Sequence, residues 1–280
     1  MTTIKAIVLD IDGTLFTSDR QISAKTKQTL LDAQSQGIKV IVASGRPTNG
    51  MRHIAKELEL AKHHGFLASY NGSRVIDMTN EEVVFDRAIE ITIAKEILKH
   101  LETFDVIPMI NDDTTMYVHD VFNHTITMED GELFNIIQYE ARGGNFLLAE
   151  KSSLADFVNF PVNKLLIAGD PDYLAQHHQD IYAPFLEQVT GTFSAPFYFE
   201  FTAKNIDKAA ALAAVLEPLD IKRHEVIAFG DGLNDLTMLE YAGIGVAMGN
   251  AKEEVKAVAQ YITQSNDEDG IAHALEKFLN

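Results

Sequence analysis

Apolar positions along the chain follow two periods, and the way these alternate predicts the architecture. Ile4 to Leu9 is apolar except for Lys5, the pattern of a strand buried on both faces in a parallel sheet. Ser23 then reads as the N-cap of a helix running to Gln36, with Gly37 closing it. A second apolar run, Val40 to Ala43, breaks off at Ser44-Gly45-Arg46-Pro47. Met51, Ile54, Ala55 and Leu58 follow at i, i+3, i+4 and i+7, one face of a helix. Phe66 to Tyr70 is a further strand, ending at Asn71-Gly72. Alternation of this kind implies β-α-β units with right-handed crossovers.

The pattern changes in the middle of the chain. Strands at Arg74–Asp77 and Val83–Asp86 flank a turn at Thr79-Asn80, and a helix carries Ala94, Leu98 and Leu101 on one face. A hairpin, Val106–Ile110 and Met116–His119, turns at Asn111-Asp112-Asp113; a strand at Lys164–Ala168 and a helix after Pro171 complete an α+β insert. Alternation returns with a helix at Asp207–Leu216, a strand at Val226–Phe229, a helix at Leu236–Tyr241 and strands at Ile244–Ala247 and Tyr261–Thr263. The expectation is an α/β fold with a discontinuous core, residues 1–82 plus 195–280, and a second domain inserted at 83–194.

Composition narrows the function. With 46% hydrophobic and 23% charged residues the chain is of globular type. Its 41 acidic against 23 basic residues, a net −18, repel nucleic acid and anionic lipid, which need a basic footprint. There is no cysteine, so disulfides, thiolate metal sites and cysteine nucleophiles are excluded. No apolar stretch approaches the ~18 residues of a membrane span, and the N-terminus has no cleavable signal pattern. A cytoplasmic setting without membrane or nucleic-acid partners is expected.

The candidate chemistry lies at strand ends, where parallel sheets bind ligands. Asp10 and Asp12 follow the first strand in Asp10-Ile11-Asp12-Gly13-Thr14, Ser44 follows the second, and Asp231 and Asp235 follow the late strand in Gly230-Asp231-Gly232-Leu233-Asn234-Asp235. Four carboxylates on one rim repel unless a cation sits among them, and hard oxygen donors without His or Cys favour Mg²⁺. A carboxylate beside Mg²⁺ can attack phosphorus. Two carboxylates two residues apart on an extended strand end point the same way, so one can attack while the other moves protons. To be protonated at neutral pH, the second would draw on neighbouring carboxylates and partial burial. Ser44, Gly45 and the amides before a helix with Pro47 in its first turn suit phosphoryl oxygens. Lys208 offers a point charge to the same anion. Each element alone is an ordinary turn or a surface lysine; their order along the chain is what carries the signal.

These residues resemble the haloacid dehalogenase-like phosphatases, specifically the Cof-type branch. Asp10-Ile11-Asp12-Gly13-Thr14-Leu15 is like the first motif of that family, Ser44 like the second, Lys208 like the third, and Gly230-Asp231-Gly232-Leu233-Asn234-Asp235 like the fourth. The resemblance implies a Rossmann-like core with a large α+β cap of type IIB between the second and third motifs, which selects substrate. It implies Asp10 as nucleophile and Asp12 as general acid/base. Asp10, the main-chain carbonyl of Asp12, and Asp231 would ligate Mg²⁺, with Asp235 in support. Ser44, Gly45, Lys208 and Asn234 would hold phosphate, and Arg46 and Asn71 would meet substrate. Ser44 stands where Thr is frequent. Asn205-Ile206-Asp207-Lys208-Ala209 departs from the Gly-Val-Ser-Lys-Gly-like run of the family, which leaves Lys204 as a competitor for the third motif. The function implied is a Mg²⁺-dependent phosphatase of a small phosphorylated metabolite; a phosphomutase of the same superfamily and a phospho-acceptor switch are the alternatives. The pairs His63-His64 and His177-His178 lack metal-ligand spacing and read as surface residues. In the insert, Asp112, Asp113, Tyr117 and Arg142 are candidates for substrate contact, although solvated turns are the plainer reading.

Overall fold

The computed structural model describes residues 3–122, 125–128 and 131–279. The chain divides into two units: Met1–Arg46, Met51–Asp86 and Asp207–Asn280 form the first, Pro47–Gly50 and Arg87–Ile206 the second. The expected boundaries shift at both ends of the insert.

The first unit opens with β1 (Ala6–Leu9), α1 (Ala24–Ser35), β2 (Lys39–Ala43), α2 (Thr48–Glu57), β3 (Phe66–Ser69), β4 (Arg74–Asp77) and β5 (Glu82–Asp86). Ser23 caps α1, its side chain accepting from the Thr26 amide. β5 pairs antiparallel with β4, so residues 83–86, assigned by pattern to the insert, extend the core sheet instead.

The chain then builds the second unit: α3 (Ile91–Leu101), β6 (Ile107–Asn111), β7 (Thr115–Val118), β8 (Thr125–Thr127), β9 (Leu133–Asn135), α4 (Ile136–Gly143), β10 (Leu147–Glu150), α5 (Leu154–Phe157), β11 (Leu165–Ala168), α6 (Pro171–Tyr182), β12 (Val189–Ala195) and β13 (Tyr198–Ala203). Its six-stranded sheet has the order β10-β7-β6-β11-β13-β12. Antiparallel pairing of β13 with β11 and β12 places residues 195–206 here, correcting their assignment to the core. Alternation along β13 sends Phe199 and Phe201 into one hydrophobic cluster with α3 and α6, and Tyr198 into another with Met109, Met116 and Ile136. His178 also departs from its surface reading: it is half-buried, its ring packed 5.1 Å from that of Phe193.

The first unit resumes with α7 (Lys208–Leu216), β14 (Val226–Gly230), α8 (Leu236–Tyr241), β15 (Ile244–Ala247), α9 (Glu253–Val258), β16 (Tyr261–Ile262) and α10 (Gly270–Phe278). The completed eight-stranded sheet has the order β16-β15-β14-β1-β2-β3-β4-β5. β1 lies between β14 and β2, parallel to both, and every residue of β1 and β14 is buried. Both faces are therefore covered, as a parallel sheet requires. Leu30 of α1, Ile54 of α2, Leu58 just after it, Leu212 of α7 and Leu275 of α10 share that core. Among the described residues no helix is long and apolar enough to cross a membrane.

Candidate active site

Three loops meet at the carboxyl ends of β1, β2 and β14. After β1 the chain makes a tight turn, Ile11–Leu15, in which Asp12 keeps an extended conformation (φ −80°, ψ 121°) and Gly13 has φ +78°. The positive φ and the crowding both require glycine: a Cβ there would lie 2.3 Å from Asp231 Oδ2. The β2 loop is tied to the loop after β3, because the amides of Tyr70 and Asn71 donate to the carbonyls of Arg46 and Ser44 at 3.0 and 2.9 Å. Tyr70 and Asn71 are both left-handed, which ends β3 one residue before the strand predicted from pattern.

Lys208 is the centre of charge. It opens α7, whose N-cap Asp207 accepts from the Ala210 amide, and it is fully buried. Its Nζ donates to Asp10 Oδ1 at 2.5 Å and to Asp235 Oδ1 at 2.6 Å. Gly72 lets the helix start approach, since a Cβ there would meet the Asp207 carbonyl at 2.5 Å. Lys204 belongs to the second unit; Lys208 is the lysine that reaches the carboxylates.

Asp235 is fully engaged: Oδ1 takes Lys208, while Oδ2 accepts from the amides of Asp231 and Gly232, both at 2.9 Å. It therefore shapes the loop that carries Asp231. Thr14, inside the Asp10–Leu15 motif but without an expected role, donates its hydroxyl to Asp231 Oδ1 at 2.7 Å. A hydroxyl close behind a paired carboxylate motif was the available signal for it. Lys208 and Thr14 thus occupy Oδ1 of Asp10 and of Asp231, and the Oδ2 atoms have no hydrogen-bond donor among the described residues.

Ligand atoms of Asp10, Asp231 and Asp235 lie within 4.8 Å of one another. Burial, reinforced by Asp235, pushes the Asp10 carboxyl well above its usual range against the pull of Lys208. Burial likewise raises Asp231, to about 6. Lys208 is pushed up, because Asp10 and Asp235 outweigh the burial that works against its charge. One ammonium among three carboxylates leaves a negative surplus, and an all-oxygen donor set fits a small hard cation.

Asp12 differs from its expected setting. Its side chain is 56% exposed rather than partly buried and is paired with a guanidinium, although its charge still acts on the Asp231 carboxylate. Arg46 Nε and Nη2 reach its two oxygens at 2.8 and 2.5 Å, and the guanidinium lies 5.4 Å from the centre of the Phe16 ring. The two-residue spacing therefore puts Asp10 and Asp12 in contrasting environments, one buried on a lysine and one exposed on an arginine. Ser44 is buried, its Oγ accepting from the Arg46 amide at 3.3 Å. Gly45 lies against the Asn71 amide, and Asn234 Nδ2 donates to Asn71 Oδ1 at 3.1 Å. In the second unit, Asp112 is a turn anchor that accepts from the Thr114 and Thr115 amides and from the Tyr117 hydroxyl. Arg142 lines a pocket of about 520 Å³ with Asn135, Gln138, Asn145 and Phe146.

A family model described as haloacid dehalogenase-like hydrolase matches residues 7–275. A 5-amino-6-(5-phospho-D-ribitylamino)uracil phosphatase of Bacillus subtilis, YcsE, is 30% identical over 277 residues, covering 99% of this chain and 96% of its own. A haloacid dehalogenase-like hydrolase from Bacteroides thetaiotaomicron superposes with a TM-score of 0.89 at 35% identity, over 98% of this chain and 99% of that one. A subclass IIB sugar phosphatase of the same superfamily superposes with a TM-score of 0.77 at 26% identity, over 98% of both chains.

Proposed function

Because this chain belongs to the haloacid dehalogenase-like hydrolase family and is a phosphatase, we propose that it hydrolyses the phosphate ester of a small metabolite through a phosphoaspartate on Asp10. The observation that carries this reading is a buried Asp10 held at one oxygen by Lys208, beside Asp231, with a second, solvent-exposed carboxylate two residues on. Asp10, the Asp12 carbonyl and Asp231 would hold Mg²⁺, with Asp235 setting the loop. Bound there, the ion neutralises the carboxylates and draws charge from the phosphoryl oxygens.

The chain's own groups divide the work. The free oxygen of Asp10 attacks phosphorus as the bond from phosphorus to the ester oxygen breaks, and Asp12 gives that oxygen its proton. Asp12 then takes a proton from water, the water oxygen bonds to phosphorus, and the bond to Asp10 breaks, so ester and water become alcohol and phosphate. Lys208 remains protonated throughout and fixes Asp10. Ser44, Gly45 and Asn234 orient the phosphoryl group, while Arg46 and Asn71 meet the remainder of the substrate. The second unit serves as the cap that reads the organic part, with the Arg142 pocket as its donor-rich surface. The substrates named for the relatives make sugar and sugar-alcohol phosphates the first choice, ahead of nucleotides and phosphorylated cofactors.

Phosphate release from a panel of monoesters, including 5-amino-6-(5-phospho-D-ribitylamino)uracil and simple sugar phosphates, tests this without an added acceptor. Release is expected with Mg²⁺, to vanish on chelation, and not to return with Ca²⁺, which takes more ligands in looser geometry. Arg142→Ala should reorder the panel while an aryl phosphate continues to be cleaved. Undiminished release after exhaustive chelation would sink the metal assignment.

Asp231 adds a pH dependence. Its carboxyl in the fold lies at about 6 against an ordinary 3.8. Stability from the protonated group is therefore fully present below the unfolded value and is lost as pH rises through about 6. In EDTA, the melting temperature of the wild type should fall relative to Asp231→Asn as pH is raised from about 4 to about 7, and excess Mg²⁺ should cancel the fall. A pH-independent difference between the two proteins would contradict it.

A further inference from the structure

The loop after β15 lies at the same rim and bears a polar side chain that none of the motif residues accounts for. Met248 N donates to the Gly230 carbonyl at 3.1 Å and Lys252 N to the Asp231 carbonyl at 3.2 Å. The loop is thus bound to the main chain that carries Asp231. From it Asn250 reaches the other carboxylate-bearing loop, its Nδ2 donating to the Gly13 carbonyl at 2.8 Å. The opposite end of the same amide is also used: Oδ1 accepts from the Asn266 amide at 3.0 Å. Asn266 Nδ2 in turn donates to the Phe16 carbonyl at 2.8 Å, and Asp267 accepts from the amide and hydroxyl of Ser18 at 2.8 and 2.7 Å. A strap from the C-terminal part of the chain therefore holds the Asp10–Thr14 turn and the segment after it.

Gly13 is where that grip matters. It follows Asp12, precedes the Thr14 that bonds Asp231, and lies too close to Asp231 Oδ2 to admit a Cβ. A small shift of its peptide moves the Asp12 carbonyl, the Thr14 hydroxyl and the space for Asp231 together.

We propose that Asn250 is a positioning residue for the phosphatase reaction, setting the separation between the Asp10–Thr14 turn and the Asp231 loop through its bond to Gly13. The proposal rests on the cation and phosphoaspartate reading of the site, since it is that geometry which Asn250 sets. Asparagine suits the position because one planar group donates to a carbonyl and accepts from an amide at once. Aspartate keeps the second bond but places a carboxylate against the Gly13 carbonyl; alanine makes neither bond. Asn250 need not touch substrate.

The test compares Asn250→Ala, Asn250→Asp and Asn266→Ala with wild type, using p-nitrophenyl phosphate turnover and, without substrate, the rise in melting temperature on titration with Mg²⁺. Both Asn250 variants should need about tenfold more Mg²⁺ for half of the thermal shift, with kcat lowered on the order of tenfold to a hundredfold and KM for the ester within about twofold, the pattern of misplaced groups rather than lost binding. Asn266→Ala should have a smaller effect and add little to Asn250→Ala, because both act through one chain of bonds. Should Asn250→Ala fail to fold, Asn250→Asp, which keeps the Asn266 bond, carries the comparison. A wild-type Mg²⁺ requirement in the Asn250 variants, whether or not activity falls, overturns the proposal. Absence of both Mg²⁺ shift and phosphate release in the wild type would instead overturn the reading of the site on which it rests.

Discussion

Mixed rapidly with p-nitrophenyl phosphate, Asp12→Ala is expected to give a burst of nitrophenol and then stall, whereas Asp10→Asn gives no burst at all. The difference follows from the environments of the two carboxylates. Asp10 is buried with one oxygen on Lys208, so it can bond to phosphorus but cannot exchange protons freely with solvent. Asp12 is exposed and held by Arg46, where it can pass protons to and from substrate and water. Removing Asp12 takes away general acid-base help worth about 10²–10⁴-fold in turnover. A nitrophenolate leaves without much protonation, so the first half-reaction survives while the second, which needs water activated, does not. Mass spectrometry of the quenched Asp12→Ala reaction should find phosphate on Asp10. A burst from Asp10→Asn, or label on Asp12, would reverse the two roles.

Lys208→Met should be the most damaging single change to the fold at this site. The substitution keeps the size of the side chain but leaves Asp10 and Asp235, both buried, facing each other without a cation. Breaking a buried pair by removing one partner costs about 3–5 kcal/mol, or roughly 10 °C in melting temperature for a chain of this size. Asp235 also organises the Asp231 loop through two main-chain amides, so activity should fall by at least about a hundredfold, the scale seen when a placed group is displaced by an ångström. Acidification should narrow the stability gap, because a proton on Asp10 relieves the repulsion. Thermal melts in EDTA from about pH 7 down to about pH 4 measure this, and wild-type melting with wild-type turnover would show that Lys208 is dispensable.

What could be read from the chain was local. The buried strands β1, β2 and β14 are continuous apolar runs that end at polar punctuation, and the catalytic candidates sit in that punctuation. The burial of Lys208 was not visible, since a lysine at the start of an alanine-rich helix looks solvated until the helix is docked against α8, β4, β5 and the Tyr70–Gly72 turn. Nor was the Asp12–Arg46 pair, which depends on β1 and β2 being neighbours in the sheet; the residues alone suggested that Asp12 shares the surroundings of Asp10. β13 illustrates the limit of pattern most directly. Its alternation of Tyr198, Phe199, Glu200 and Phe201 marks a strand but does not say which sheet it joins, and pairing with β11 and β12 decided for the second unit. The elements β8, β9, α4 and β10 are not legible in the sequence because the described residues between 121 and 150 mix exposed apolar and polar positions without a sustained period.

The position of β1 in the middle of its sheet carries a cost during biosynthesis. Thr14 and Asp231, hydrogen-bonded in the finished site, are 217 positions apart, and the edge of β1 that pairs with β14 has no neighbour until the late segment leaves the ribosome. At about 5–20 residues per second that wait lasts on the order of ten seconds or more, during which an apolar strand edge is open to any other nascent strand. Closing so long a loop adds little to the equilibrium free energy, which grows only with the logarithm of length. The burden is one of timing: half of the sheet must be kept from premature association until the other half exists, and no catalytically competent fragment can precede the last third of the chain.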